Sequence, residues 1–139
     1  MTRSPDAPCP CGTGRKYKRC CRPLHQGKAA ATPEALMRSR WSAYAVGATD
    51  YIIDTTDPEG PQAKHDRTSW AAEIAAFSTH TRFIKLEIRT APPPEGERGE
   101  VTFHAKLARG GQDASFTERS EFVRREGRWL YRRAIDDGS

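Results

Sequence analysis

No run of about eighteen apolar residues occurs anywhere in the chain, so the sequence offers no membrane-spanning helix. The N-terminus, Met-Thr-Arg-Ser-Pro-Asp-Ala-Pro, lacks an apolar stretch of the kind a secretion signal needs, and a cytoplasmic, unsecreted protein is expected. Also missing are a Gly-rich phosphate loop, the H-E-x-x-H spacing of metal hydrolases, a nucleophile motif and any cofactor fingerprint. Those absences weigh against several enzyme classes at once. Cysteine is absent from all but one short stretch: the four in the chain are Cys9, Cys11, Cys20 and Cys21. Such clustering in a chain read as intracellular favours metal binding over disulfides.

Four soft ligands within thirteen residues are what a closed tetrahedral Zn²⁺ site requires, and a closed site leaves no position for substrate. A bridge between Cys9 and Cys11, or between Cys20 and Cys21, would be badly strained, because bridged Cα atoms prefer about 4.4–6.8 Å and opposed Cβ vectors. Cross-pairing between the two couples is less natural than metal but geometrically open, and redox thiols or an iron–sulfur cluster are further alternatives. Gly12 and Gly14 can adopt positive φ and bring backbone N–H groups toward the sulfurs. A structural zinc knuckle is the reading that these residues favour.

Charge follows the cysteines. Residues 1–28 hold seven Lys/Arg against Asp6 alone, whereas the rest of the chain holds 16 basic and 17 acidic residues, and the chain totals +5. Thiolates and ion together leave the module basic around Arg15, Lys16, Tyr17, Lys18 and Arg19. That face is expected to dock a protein or a ribosome/RNA partner, or else to serve as a solvated, solubilising loop.

After a connector, Thr32 and Pro33 announce a helix running to about Val46. Leu36, Met37, Trp41 and Tyr44 share one arc of it, Arg40 points into that arc and Arg38 away. A second short helix is expected through Tyr51, Ile52 and Ile53, ending before Asp57-Pro58, and a third from about Thr68 with Trp70, Ile74 and Phe77 at helical spacing. His65 and His80 fall in loops on this reading. From Phe83 the period becomes two, with Ile84, Leu86 and Ile88 on one face; further strands are expected at 100–109, 114–124 and 128–135, joined by tight turns into an antiparallel meander. Three helices followed by hairpin-linked strands give an α+β domain whose curved sheet buries its apolar face on the helices. On strand 114–124 the face with Phe116 and Phe122 also carries Glu118 and Ser120, so a carboxylate points where core should be and needs a partner or a wet cavity.

The cysteine stretch resembles a SEC-C motif, the short zinc module of the SecA translocation ATPase, with Cys21 standing where SecA has His. The resemblance implies Cys9, Cys11, Cys20 and Cys21 as zinc ligands, with His25 in reserve as the fourth, and a docking role like that of the SecA tail toward its chaperone or the ribosome. The whole chain resembles the YchJ-like family, through Met37-Arg38-Ser39-Arg40 with Ala43-Tyr44, Asp50-Tyr51-Ile52, Glu118-Arg119-Ser120 before Phe122, and Gly127-Arg128-Trp129 with Tyr131. The second, C-terminal SEC-C copy of some relatives is missing, and Arg132-Arg133-Ala134 departs from the family pattern. This implies a zinc module over 1–28 and, over 29–139, a nuclear transport factor 2-like (cystatin-like) cone, a fold that often encloses a pocket.

Two functions are carried forward. In the first, favoured by the sequence, the protein is a non-enzymatic zinc-containing adaptor. In the second, the cone pocket binds a small molecule or catalyses acid/base chemistry, with Glu118 as acid or base and Arg40, Ser120, Tyr44 and His104 holding an anionic or carbonyl substrate, although the strand phase of His104 turns it outward. Arg40 and Glu118 are expected to meet as a bidentate pair, and chelation to unfold only the first ~30 residues. A homodimer through the sheet is also expected.

Overall fold

Residues 4–138 are described by the structure, a computed structural model. A 3₁₀ turn at Tyr17–Arg19 and the short helix α1 (Arg22–His25) precede α2 (Pro33–Val46), α3 (Thr49–Asp54) and α4 (Arg67–His80). Five strands follow: β1 (Thr81–Thr90), β2 (Arg98–Arg109), β3 (Gln112–Asp113), β4 (Phe116–Arg125) and β5 (Arg128–Asp136). The long strands form one antiparallel sheet in the order β1-β2-β4-β5, with the two-residue β3 paired to β2. The architecture is the α+β arrangement expected, and no helix among the described residues is long and apolar enough to cross a membrane.

The helix ends are set by local chemistry. The Thr32 side chain accepts from Ala35 N, Pro33 occupies the first turn, and α2 ends at Gly47 in the left-handed region. Asp66 caps α4 by accepting from Thr68 N and Ser69 N, which starts that helix slightly before the expected Thr68. His80, expected in a loop, closes α4 with its Nδ1 against Ala76 O.

The phase of β1 differs from the simple alternation. Phe83 opposes Leu107 and Leu86 opposes Ala105, so a bulge absorbs Ile84 as an extra residue. Phe83, Leu86 and Ile88 therefore share the core face, and Ile84 is 42% exposed. A second bulge lies in β5, where Glu121 opposes Arg133 but Phe122 opposes Tyr131, leaving Arg132 as the extra residue. It frees the Arg132 side chain to reach Asp57, three residues past the end of α3.

Asp57 is fully buried, although the sequence shows it only as a helix stop. Arg125 grips it through Nε and NH2 at 3.1 Å each, Arg132 donates at 2.7 Å and Glu59 N at 3.0 Å. Burial pushes its carboxyl upward, but the bonds from Arg125, Glu59 N–H and Arg132 outweigh that and hold it below the usual value. The backbone beside it pairs with β5 through Asp57 N to Tyr131 O and Tyr131 N to Thr55 O. This locks the loop after α3 to the sheet.

A single buried cluster runs from Cys9, Cys11, Tyr17, Cys20 and Cys21 through Leu36, Met37 and Trp41 of α2 to Val101, Phe103, Ala105, Leu107, Phe122 and Tyr131 of the sheet. Each large apolar side chain fully buried there contributes about 1.5–3 kcal/mol. A smaller cluster of Ala43, Ile52, Ile53 and Ile74 joins α2, α3 and α4. Helix α2 is consequently buried nearly all round, between the sheet, the other helices and the cysteine loop.

Candidate functional site

The cysteine loop is built from two turns. Gly12 and Gly14 take φ of 85° and 86°, a region that costs residues with a Cβ, and Gly12 N bonds Cys9 O while Cys9 N bonds Arg15 O. The 3₁₀ turn then delivers Cys20 and Cys21. All four sulfurs lie within 4.8 Å of one another, all four residues are buried, and none is in a disulfide. A tetrahedron with metal–sulfur bonds of about 2.3 Å has edges of about 3.8 Å, so the group can close on one ion with small adjustments. The four cysteines are positioned to bind a metal ion.

With protons in place of an ion, hydrogen bonds from Cys11 and Cys21 hold the Cys9 thiol well below its ordinary value, while those with Cys11 and Cys9 hold Cys21 far above it. Hydroxyls surround the sulfurs: Ser42 Oγ lies 3.3 Å from Cys9 Sγ and Thr13 Oγ1 3.2 Å from Cys20 Sγ. Such groups are the outer support that thiolate ligands need.

His25 lies outside the thiol group. Its Nε2 is 2.8 Å from Ser39 O, and since a carbonyl only accepts, Nε2 carries the proton; Nδ1 then accepts from Tyr17 OH at 2.6 Å. Burial lowers its pKa. With both ring nitrogens engaged in fixing the module to α2, the reserve role expected for His25 has no geometric support. Tyr17 also departs from expectation: it is buried, 8% exposed, and cannot stack on a partner. Arg15, Lys16 and Arg19 stay exposed; Lys18 is half-buried and, like Lys16, pairs with Asp6, an exposed bond worth little.

Arg38, read as pointing away from the core, bonds Glu34 one turn back and reaches Cys11 O at 2.8 Å. Trp41 Nε1 donates to Pro10 O at 2.9 Å. Sequence reasoning missed these clasps because a single apolar arc was assigned to α2; the signal lay in its lack of any fully polar face.

On the opposite flank of α2, a cleft of about 210 Å³ opens between helix and sheet. Of the expected pocket residues Arg40, Tyr44 and Glu118 line it, whereas Ser120 is fully buried behind Glu118 and does not; Phe116, on the face of Glu118, lines it too, together with Tyr131, Gln62 and Phe103, which the sequence did not place there. The Arg40–Glu118 ion pair is not formed. Arg40 NH1 instead bonds Ile52 O, Thr55 Oγ1 and Thr56 Oγ1, tying down the end of α3. Glu118 Oε2 accepts from Ser120 Oγ and from Tyr131 OH at 2.9 Å, and Tyr131 is held in its phenol form first by burial and then by the Glu118 charge. His104 bonds Thr117 across the outer face of the sheet, away from the cleft.

Two family models match the chain. The family model for the middle NTF2-like domain of YchJ matches residues 32–134, and that for the SEC-C motif matches residues 7–23. The chain belongs to the YchJ-like family. A UPF0225 protein from Deinococcus radiodurans is 41% identical over 128 residues, covering 91% of this chain and 88% of that protein. The solution structure of a SEC-C motif containing protein from Rhodopseudomonas palustris has a TM-score of 0.78 at 38% identity, over 94% of this chain and 100% of that one. A SEC-C motif containing protein from Psychrobacter arcticus follows with a TM-score of 0.74 and 26% identity, over 90% of this chain and 80% of that one. The cone is thus an NTF2-like domain bearing a SEC-C motif on its helical side.

Proposed function

We propose that the chain is a non-enzymatic adaptor in which a structural Zn²⁺, held by Cys9, Cys11, Cys20 and Cys21, fixes a basic loop that docks an acidic protein surface or ribosomal RNA. The units are residues 1–28 and 29–139, working as one body in a reducing cytoplasm. The carrying observation is the closure of the thiol group: all four sulfurs converge and are buried, leaving no open position for substrate. The ion would supply charge neutralisation and folding energy, not chemistry. Arg15, Lys16, Lys18 and Arg19 ride on that loop, and the docking is electrostatic because Tyr17 is turned inward.

Two measurements test this. Elemental analysis should give one zinc per chain, lost in Cys21→Ala and kept in His25→Ala; iron, or no stoichiometric metal, refutes the zinc site. Binding to purified ribosomes and to a single-stranded RNA should weaken with salt, with a log–log slope near −3 if four cations each neutralise a phosphate at about 0.7 apiece. The double change Lys16→Glu, Lys18→Glu should abolish binding without releasing metal. Equal binding at low and high salt would make the loop a solubilising face only.

A further inference from the structure

The cleft holds two charges that have not met. Arg40 is 4% exposed, yet every hydrogen bond it makes to protein goes through NH1. Its Nε and NH2 have no protein partner among the described residues, and its guanidinium carbon sits 4.8 Å over the Tyr131 ring. Glu118 is the mirror case. Ser120 and Tyr131 both donate to Oε2, and Oε1 is left without a protein partner among the described residues. A buried cation and a half-buried carboxylate line one cavity, held apart by the tyrosine that each of them touches, and their remaining polar atoms open onto the cleft, where only solvent or a ligand can meet them.

Apart from Gln62, whose Nε2 donates to Tyr131 OH at 3.3 Å, the remaining wall is apolar and ring-rich: Trp41, Tyr44, Phe83, Phe103 and Leu107 among others, with the exposed ring of Phe116. We propose that this cleft binds a neutral, ring-bearing small molecule that presents at one end an acceptor to Arg40 and an N–H or O–H donor to Glu118, the pattern of a carboxamide. Charge selects neutrality. The two facing groups already balance, so an anion would meet Glu118 and a cation would meet Arg40, each losing hydration without an unopposed counter-charge. Size selects a compact molecule, since 210 Å³ lies below the roughly 300–1,000 Å³ of sites for drug-sized ligands. The ring walls supply apolar burial, and the free polar atoms of Arg40 and Glu118 fix orientation.

The test uses the full, metal-loaded chain and four probes: benzamide, benzoate, benzamidine and toluene, titrated while NMR resonances are followed. Benzamide should shift the signals of Phe103, Ala105, Leu107 and Tyr131 and bind about tenfold more tightly than any of the other three, the worth of one charge-assisted hydrogen bond. Glu118→Gln retains an acceptor for Ser120 and Tyr131, so it should fold; in it the penalty on benzoate should disappear and benzamide should weaken about tenfold. Arg40→Lys, which keeps the charge, should weaken benzamide without restoring benzamidine. Benzoate or benzamidine binding as tightly as benzamide overturns the charge argument, and toluene doing so shows a merely apolar cleft. Benzamide failing to shift those four residues at tens of millimolar, where even weak fragments bind, shows that water alone satisfies Arg40 and Glu118 and overturns the proposal.

Discussion

Removing the metal should destabilise the whole protein. The cysteine loop is clasped to the cone by four side-chain hydrogen bonds: Trp41 Nε1 to Pro10 O, Arg38 NH1 to Cys11 O, His25 Nε2 to Ser39 O, and the Cys9 Sγ–Ser42 Oγ contact. At about 1 kcal/mol each, their loss costs about 4 kcal/mol before any packing is counted. A domain of this size has about 5–15 kcal/mol in total, so the cone cannot be indifferent. At about 2–4 °C per kcal/mol the midpoint of thermal unfolding should fall by about 8–16 °C on chelation. The assay is calorimetry with and without chelator, metal content being checked in parallel, and tryptophan emission reports the loop because Trp41 is 4% exposed beneath it. The sequence alone suggested that only the first ~30 residues would unfold; the shared core argues otherwise. A metal-free protein whose main transition moves by less than about 3 °C, with unchanged Trp41 emission, would refute the reasoning.

Asp57→Asn should cost about 2–4 kcal/mol in urea unfolding, less than a wholly buried pair because Arg125 and Arg132 are partly exposed; a change below 0.5 kcal/mol would show that the arginines hold nothing in place. Because the Asp57 pKa is depressed in the folded state, its contribution is present above the unfolded value of about 3.9 and fades as pH falls through the folded one, so acid unfolding should begin below about pH 4 and be shallower in Asp57→Asn. Gly99→Ala should destabilise by about 1–3 kcal/mol, since an added Cβ would stand 2.5 Å from Pro33 Cγ at the start of α2; a neutral result would mean that the helix start yields freely.

How much of this could be read from the chain depends on the reach of each signal. The N-terminal cap of α2, the turn glycines and the alternation of β2 are local, and the structure repeats them almost residue for residue. The thiol cluster was legible because its four members are close in sequence. What escaped was set by partners far along the chain. The Ile84 bulge exists because Phe83 faces Leu107, and nothing within β1 records that choice. Asp57 looked like a turn residue because its arginines lie 68 and 75 positions away. The phase of Arg40 and Glu118 was read correctly, but phase fixes a face and not a partner. Arg40 is bonded instead by the carbonyl and hydroxyls at the end of α3, and Glu118 by Ser120 and Tyr131.

The all-round burial of α2 links the two sites. A helix with one apolar stripe would leave Arg38 and Ser42 in water; here they face the cysteine loop while Arg40 and Tyr44 face the cleft. That arrangement has a consequence for docking. A basic loop on a flexible tail must give up its freedom when a partner orders it, at about 0.5–1.5 kcal/mol for each immobilised rotamer-rich side chain, with backbone ordering in addition. Here the backbone of Arg15–Arg19 is already fixed, through Cys9 N to Arg15 O, Tyr17 N to Ala7 O and the burial of Tyr17. Only the outer lengths of the cationic side chains are left to be ordered. On the adaptor proposal, a metal held by the four cysteines would act on affinity without touching the partner, by removing conformations of the loop that could not bind.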